Sequence, residues 1–378
     1  MIYGARVRQA RLFLGATQIQ FAGIVGISQA ALSGLENGSR PTISDDTLMT
    51  IAEHTGFPPE FFERPAYTPI DDVQFRARLT FKAADRNQVM ACANLVHETY
   101  GLMRRKLEML PVKLQRAESG DPRLAAREFR STLGLPSGPV ANLTTPVERI
   151  GVTILTLPVS GKKHDAFSTW QPGPSGSYPL IVTFAGTPGD RLRWTIAHEL
   201  GHVLLHCGGS GQEIEREADV FASELLTPIE AMAAEIPERP RLASLYAMKM
   251  RWGVSVQSLI RRAREIGRIT DEQYTSLFRQ VSARGERMSE RYQVSREKPR
   301  IYRKMAEVLF GESPALGLGA LGGWTEEFAK DVLEQFASKS ELPARRVWVS
   351  RQTQDRTNVV EFRRMERRSE RPQAPRLG

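Results

Sequence analysis

Cysteine is nearly missing: among 378 residues there are two, Cys92 and Cys207. Two distant thiols support no disulfide framework, suit a reducing compartment and are not expected as metal ligands. Long apolar runs are missing as well, none approaching the roughly 18 residues that a membrane-spanning helix needs. The opening Met1-Ile2-Tyr3-Gly4-Ala5-Arg6 lacks the apolar core of a signal peptide, so a soluble cytoplasmic protein with no membrane partner is expected. Internal repeats are absent too. What remains is an ordinary globular composition, 41% hydrophobic and 25% charged, in a chain long enough for two or three domains. Lys and Arg number 52 against 43 Asp and Glu, and the net charge of +9 favours polyanionic partners.

From Tyr3 to Phe62, apolar residues recur at helical spacing between Gly, Asn and Ser, with no strand-like alternation. Pro65, Pro69 and the pair Asp71-Asp72 then mark a linker, and a long amphipathic helix is predicted from about Ala84 to Leu110, closed by Pro111. The β-branched runs Val152-Thr153-Ile154-Leu155 and Leu180-Ile181-Val182-Thr183-Phe184 predict strands of a small sheet. Asp190 is a predicted cap for a helix ending near His206, Gly208 to Gly211 a turn, and Glu213 to Leu226 a second helix. Helices continue to about Phe310. The glycine-rich stretch Leu316 to Gly323 predicts a hinge, and Arg363 to Gly378 a disordered tail.

The segment that carries chemistry is Trp194-Thr195-Ile196-Ala197-His198-Glu199-Leu200-Gly201-His202, an HExxH motif with apolar flanks. Two histidines four apart share one helical face, so both imidazoles can reach a single zinc ion. Glu199 sits about 100° around the helix, beside the metal, placed to move a proton from a water to a leaving amine. A catalytic zinc takes one more protein ligand, and the next helix offers Glu215 and Asp219 four residues apart. Glu215 is the expected third ligand and Asp219 the acceptor for a ligand imidazole. Glu217 falls on another face and is assigned to solvent, with the alternative that it replaces Glu215 as ligand. His206 continues the His198 and His202 face but is too near to be the third histidine of the longer zinc motif, leaving a structural or substrate-contact role. His164, beside Asp165, lies in a loop from which it could enter the cleft, but a lone loop histidine is more often exposed and is read so; His54 and His97 carry no signal.

Thr17 to Gly38 reads as two capped helices around a tight glycine turn. Thr17 and Ser28 are the caps, Gly26 the turn, and Ala22, Val25, Leu32 and Leu35 the packing between helices. The second helix would present Gln29, Ala30 and Ser33 to base edges of double-stranded DNA, with Gln18, Ser28 and Arg40 at phosphates. A helical dimerisation or substrate-docking module is the alternative for this segment. Binding to paired half-sites makes a homodimer an expectation.

These residues resemble two families. Arg6 to Phe62 resembles the Xre-type, phage-repressor-like helix-turn-helix in Thr17-Gln18, Ala22, Val25-Gly26, Gln29 and Leu35-Glu36-Asn37-Gly38, and departs from it at Ala30 and Gly34. Val147 to Pro228 resembles the ImmA/IrrE metallopeptidases in Asp165-Ala166-Phe167-Ser168, Asp190-Arg191, His198 through His206, Glu215, Ala218-Asp219, Phe221-Ala222 and Leu225 to Pro228. Asp219 and Thr227 stand where that family often has Asn and Met. The resemblance implies a gluzincin-like zinc endopeptidase that cuts a repressor, often one with its own helix-turn-helix, during stress or mobile-element induction. The expected fold class is multidomain and mainly α with a small β-sheet: an all-α helix-turn-helix domain, an α+β gluzincin-like zinc peptidase domain and a helical C-terminal region. The expected boundaries are 1–66 for DNA binding, 67–115 for linker and long helix, 116–230 for the peptidase, 231–312 for accessory helices and 313–378 for hinge and tail. Competing readings are a transcriptional regulator whose metal domain senses or docks a partner without proteolysis, and an antitoxin-type partner protein.

Overall fold

The computed structural model describes residues 1–40, 42–65, 69–70, 83–109, 111–160, 166–174, 176–206 and 211–338. The expectations placed on Asp71-Asp72, Leu110, His164, Asp165, Cys207, the turn residues 208–210 and the tail lie outside the described residues.

The N-terminal helices are α1 (Gly4–Phe13), α2 (Gln18–Ile24), α3 (Gln29–Glu36), α4 (Asp45–Thr55) and α5 (Pro59–Phe62). Thr17 opens α2 with a capping box completed by Gln20, and the Ser28 hydroxyl accepts from the Ala31 amide to open α3. Gly26 makes the turn between them at φ 71°, a left-handed conformation that side chains resist. Val7, Ala10, Phe21, Ala22, Leu32, Leu35 and Ile51 form the packing between these helices. At Gly4 a Cβ would stand 1.8 Å from the Leu35 carbonyl oxygen, so α1 and α3 meet backbone to backbone.

Helix α6 (Ala83–Arg104) is the predicted long helix, ending earlier than the sequence suggests. Residues 111–121 form no helix, and Lys113 and Ala117 donate to the carbonyls of Ile150 and Leu204. Next come α7 (Pro122–Thr132) and α8 (Thr144–Arg149), then strands β1 (Thr153–Ser160), β2 (Ala166–Gln171) and β3 (Tyr178–Ala185). The sheet order is β1-β3-β2, with β1 parallel and β2 antiparallel to β3. Helices α9 (Gly189–Leu205), α10 (Gln212–Leu226), α11 (Ile229–Glu235), α12 (Leu242–Trp252), α13 (Val256–Glu265) and α14 (Asp271–Ala283) follow. The described chain closes with α15 (Ile301–Phe310), α16 (Pro314–Gly322) and α17 (Glu326–Glu334).

Strand alternation divides two hydrophobic cores. Leu155, Leu157, Phe167, Leu180, Val182 and Phe184 face the core that also contains the N-terminal helices, α6 and α15 to α17. Ile154 and Ile181 face the other, built with α7 and α9 to α14. No described helix is long and apolar enough to cross a membrane.

The N-terminal helices pack against later elements: Arg6 makes a bidentate bond to Glu98 of α6 at 2.5 and 2.7 Å, Phe13 meets Phe328 of α17 at a ring separation of 5.2 Å, and Arg64 donates to the Leu321 carbonyl. Two expectations are corrected. The stretch from Leu316 is no hinge but lies in α16, because its glycines allow close approach: a Cβ at Gly317 would stand 2.2 Å from the Phe310 ring, and one at Gly322 2.7 Å from that of Trp324. Asp190 does not cap α9; Pro188 holds that position, while Asp190 accepts a 2.5 Å bond from Lys249, itself shared with Glu290.

Candidate active site

Helix α9 turns Ile196, Ala197, Leu200 and Leu204 into the core, which leaves His198 and His202 one turn apart on another face. Helix α10 lies close beside it, because Gly201 presents no side chain: a Cβ there would meet the Ala218 Cα at 3.1 Å and the Phe221 ring at 3.3 Å. That contact brings Glu215 to the two imidazoles. The His198 and His202 Nε2 atoms are 3.0 Å apart, and the Glu215 carboxylate oxygens stand 3.3 Å from the first and 3.7 Å from the second. Ligand atoms of all three residues fall within 4.8 Å of one another. Donors about 2.0–2.1 Å from a common tetrahedral centre would be about 3.3 Å apart, so the set fits a zinc ion.

The groups around this set are oriented. Asp219 Oδ1 lies 2.9 Å from His198 Nδ1. Burial works against a charged His198 ring, but its bonds to Asp219 and Glu215, with Glu199 nearby, outweigh that and raise its pKa to about 9. A metal ion at these nitrogens would therefore compete with protons. Glu199 is buried, and Ser168 of β2 donates to its Oε2 at 2.5 Å. The alternation that sends Phe167 into one core sends Ser168 toward α9. In the sequence Ser168 stands out only as part of the family resemblance, because no local pattern pairs a strand serine with a helix glutamate.

His206 leaves the helix with extended backbone, and its ring folds back so that its Nδ1 is 3.0 Å from His202 Nδ1. Its Nε2 is 2.9 Å from Glu217 Oε2. Glu217 is thus not simply turned to solvent, as its helical position had suggested. Its neighbour on the other flank of the Ala218 ridge, Glu215, is the one that reaches His198 and His202.

The helix-turn-helix residues divide. Ser28, Gln29, Ala30 and Arg40 are exposed, and Ser33 is half-buried. Gln18 is turned inward: it donates to Glu36 at 2.8 Å and accepts from Gln29 at 3.1 Å. Glu36 is in turn held by Arg11 through bonds of 2.5 and 2.9 Å. Gln18 thereby links Glu36 to Gln29 at the start of α3.

Fold and site define a helix-turn-helix protein that carries a metallopeptidase-like domain. Residues 147–264 match the family model of the IrrE N-terminal-like domain, and residues 7–62 that of the helix-turn-helix. This is the combined architecture that the sequence motifs predict. A search of curated proteins finds no match to the chain.

Proposed function

We propose that the chain is a zinc-dependent endopeptidase coupled to DNA binding, acting in the cytoplasm on a transcriptional repressor or related regulator. The observation that carries this reading is the convergence of His198, His202 and Glu215, with a buried glutamate beside them. In this reading those three residues hold the ion, and Asp219 orients His198. When bound, zinc supplies a Lewis acid that polarises the scissile carbonyl and acidifies a water. Glu199 takes the water's proton and passes it to the leaving nitrogen, while the Ser168 hydroxyl fixes the orientation of its carboxylate. Strand β2 pairs on one side with β3 and has no strand on its other side among the described residues, so an extended peptide can add along that edge.

The exposed Gln29, Ala30 and Arg40 are the surface offered to DNA, with Ser28 and Ser33 beside them. DNA binding then raises the local concentration of peptidase near a DNA-bound substrate, and a homodimer would read paired half-sites. The domain division follows the same reading, with DNA binding within 1–66 and the peptidase from about 116. The shared core of the helix-turn-helix with α6 and α17 also suits a second reading, in which metal occupancy is sensed and transmitted without cleavage.

The test incubates zinc-loaded parent and Glu199→Gln proteins with helix-turn-helix repressors encoded nearby and reads fragments by mass spectrometry. Fragments from the parent alone, with zinc retained in both, support the peptidase. Equal regulation of a reporter by both proteins, with no fragments, supports the sensor.

A further inference from the structure

We infer that Glu217, acting through His206, is a positioning residue that fixes His202 in the tautomer able to bind a metal ion. The inference rests on the metal reading above and deepens it.

Two hydrogen bonds in series carry it, Glu217 Oε2 to His206 Nε2 at 2.9 Å and His206 Nδ1 to His202 Nδ1 at 3.0 Å, and they end at a ring whose Nε2 faces the ligand cluster, 3.0 Å from His198 Nε2. An ionised carboxylate only accepts hydrogen bonds, so the proton between Glu217 and His206 belongs to His206 Nε2. A neutral His206 then has a lone pair at Nδ1, and the proton between the two rings must sit on His202 Nδ1. That leaves the lone pair of His202 at Nε2, the atom beside His198 and Glu215. Without Glu217 the His206 proton can move to Nδ1, from which it donates to His202 and drives the His202 proton to Nε2, where it blocks ligation.

The surroundings favour a strict arrangement. The side chains of His202 and His206 are 1% and 8% exposed, which strengthens each bond and penalises a wrong tautomer. His198 has Asp219 directly at its Nδ1, whereas His202 meets Glu217 through His206. Both imidazoles of the cluster are thus backed by a carboxylate of α10, one directly and one through a relay. Outer partners of this kind typically change metal affinity by about 10–100-fold.

The test uses the full chain with selectively nitrogen-labelled histidine. Zinc affinity is measured by chelator competition, and ring tautomers by NMR on the metal-free protein, for the parent, Glu217→Ala, Glu217→Gln, His206→Ala and the Ala/Ala double variant. Thermal melts confirm that each is folded. Glu217→Ala and His206→Ala are expected to lose about 10–100-fold in zinc affinity, with the double variant no weaker than His206→Ala alone. In the metal-free parent, His202 is expected with its proton on Nδ1, and in Glu217→Ala with a substantial share on Nε2. Full affinity in Glu217→Ala, an equal loss on removing Glu217 in the His206→Ala background, or an unchanged tautomer would overturn the relay. A parent that binds no zinc but shows the tautomer shift would defeat the metal reading while leaving the relay standing.

Discussion

Ser168, on the edge strand, donates a 2.5 Å hydrogen bond to the carboxylate of Glu199, on the helix that carries both histidines. The bond joins sheet and helix at the residue assigned to proton transfer. Ser168→Ala removes the donor and frees the carboxylate to rotate. Turnover is expected to fall by about 10-fold or more, with zinc affinity unchanged, since Ser168 reaches none of the three ligands. Cleavage assays beside chelator competition check both halves, and unaltered turnover would remove Ser168 from the account.

Gly201 sets the distance between α9 and α10. Gly201→Ala places a methyl 3.1 Å from the Ala218 Cα, a backbone atom that yields only if the helix moves. A stability loss of about 1–3 kcal/mol is expected, together with weaker zinc binding as Glu215 draws away from the histidines. Urea unfolding and zinc titration measure the two effects. A stable variant with undiminished affinity would show that the helix contact does not set the ligand geometry.

The buried Arg6 and Glu98 pair ties the DNA-binding helices to α6. Glu98→Ala leaves the guanidinium buried without its carboxylate, a change that costs about 3–5 kcal/mol. Because the N-terminal helices share a core with α6 and α17, the parent is expected to lose helix-turn-helix structure and α6 together. Hydrogen exchange followed through denaturation tests this, and separate early melting of residues 1–62 would contradict the shared core.

Buried His97 bonds to the Tyr178 hydroxyl at 2.7 Å, and burial, aided by Arg104, lowers its pKa from 6.5 to about 4. Between those values the unfolded chain binds a proton that the folded chain refuses. The stability from a neutral His97 is therefore fully present above about pH 6.5 and is lost as pH falls toward 4, by about 3 kcal/mol in all. Glu148, raised by burial from 4.5 to about 7, has the opposite slope, losing stability as pH rises through that window. A comparison of variant with parent isolates the histidine. His97→Gln is expected to be less stable at pH 8 and to close that gap as pH falls toward 4, by urea unfolding at each pH. Parallel pH curves would rule out His97 as the source.

At the DNA surface, Gln29→Ala is expected to relax sequence preference, and Gln18→Ala to do so more weakly by freeing Gln29 from its brace. Arg40→Ala should weaken binding to all sequences alike and lower the salt slope by about one. Binding isotherms at several salt concentrations separate these effects, and an unchanged slope would take Arg40 off the phosphate backbone.

Local signals explain what was legible in the sequence. Caps at Thr17 and Ser28, the glycine at 26 and the four-residue spacing of His198 and His202 act within one or two turns, so spacing alone places them. Helical periodicity gives one face per helix and so separates Glu217 from Glu215. The two straddle the Ala218 ridge against Gly201, about 60° to one side and about 100° to the other, and Glu215 meets His198 and His202 while Glu217 meets His206. The hinge at Leu316 to Gly323 failed for a related reason: glycine signals flexibility in isolation, whereas contact with Phe310 and Trp324 uses its lack of a side chain. The union of the DNA-binding helices with α6, α16 and α17 depends on partners as far apart as Arg64 and Leu321, which no local pattern encodes.

The central claim is that His198, His202 and Glu215 hold one metal ion, and zinc titration of the parent and Glu215→Gln, followed by X-ray absorption of the loaded protein, tests it most directly. One zinc per chain is predicted, bound through two imidazole nitrogens and carboxylate oxygen, with affinity sharply reduced in the variant. A parent that holds no stoichiometric zinc, or a Glu215→Gln protein that binds it equally well through the same atoms, would contradict the account.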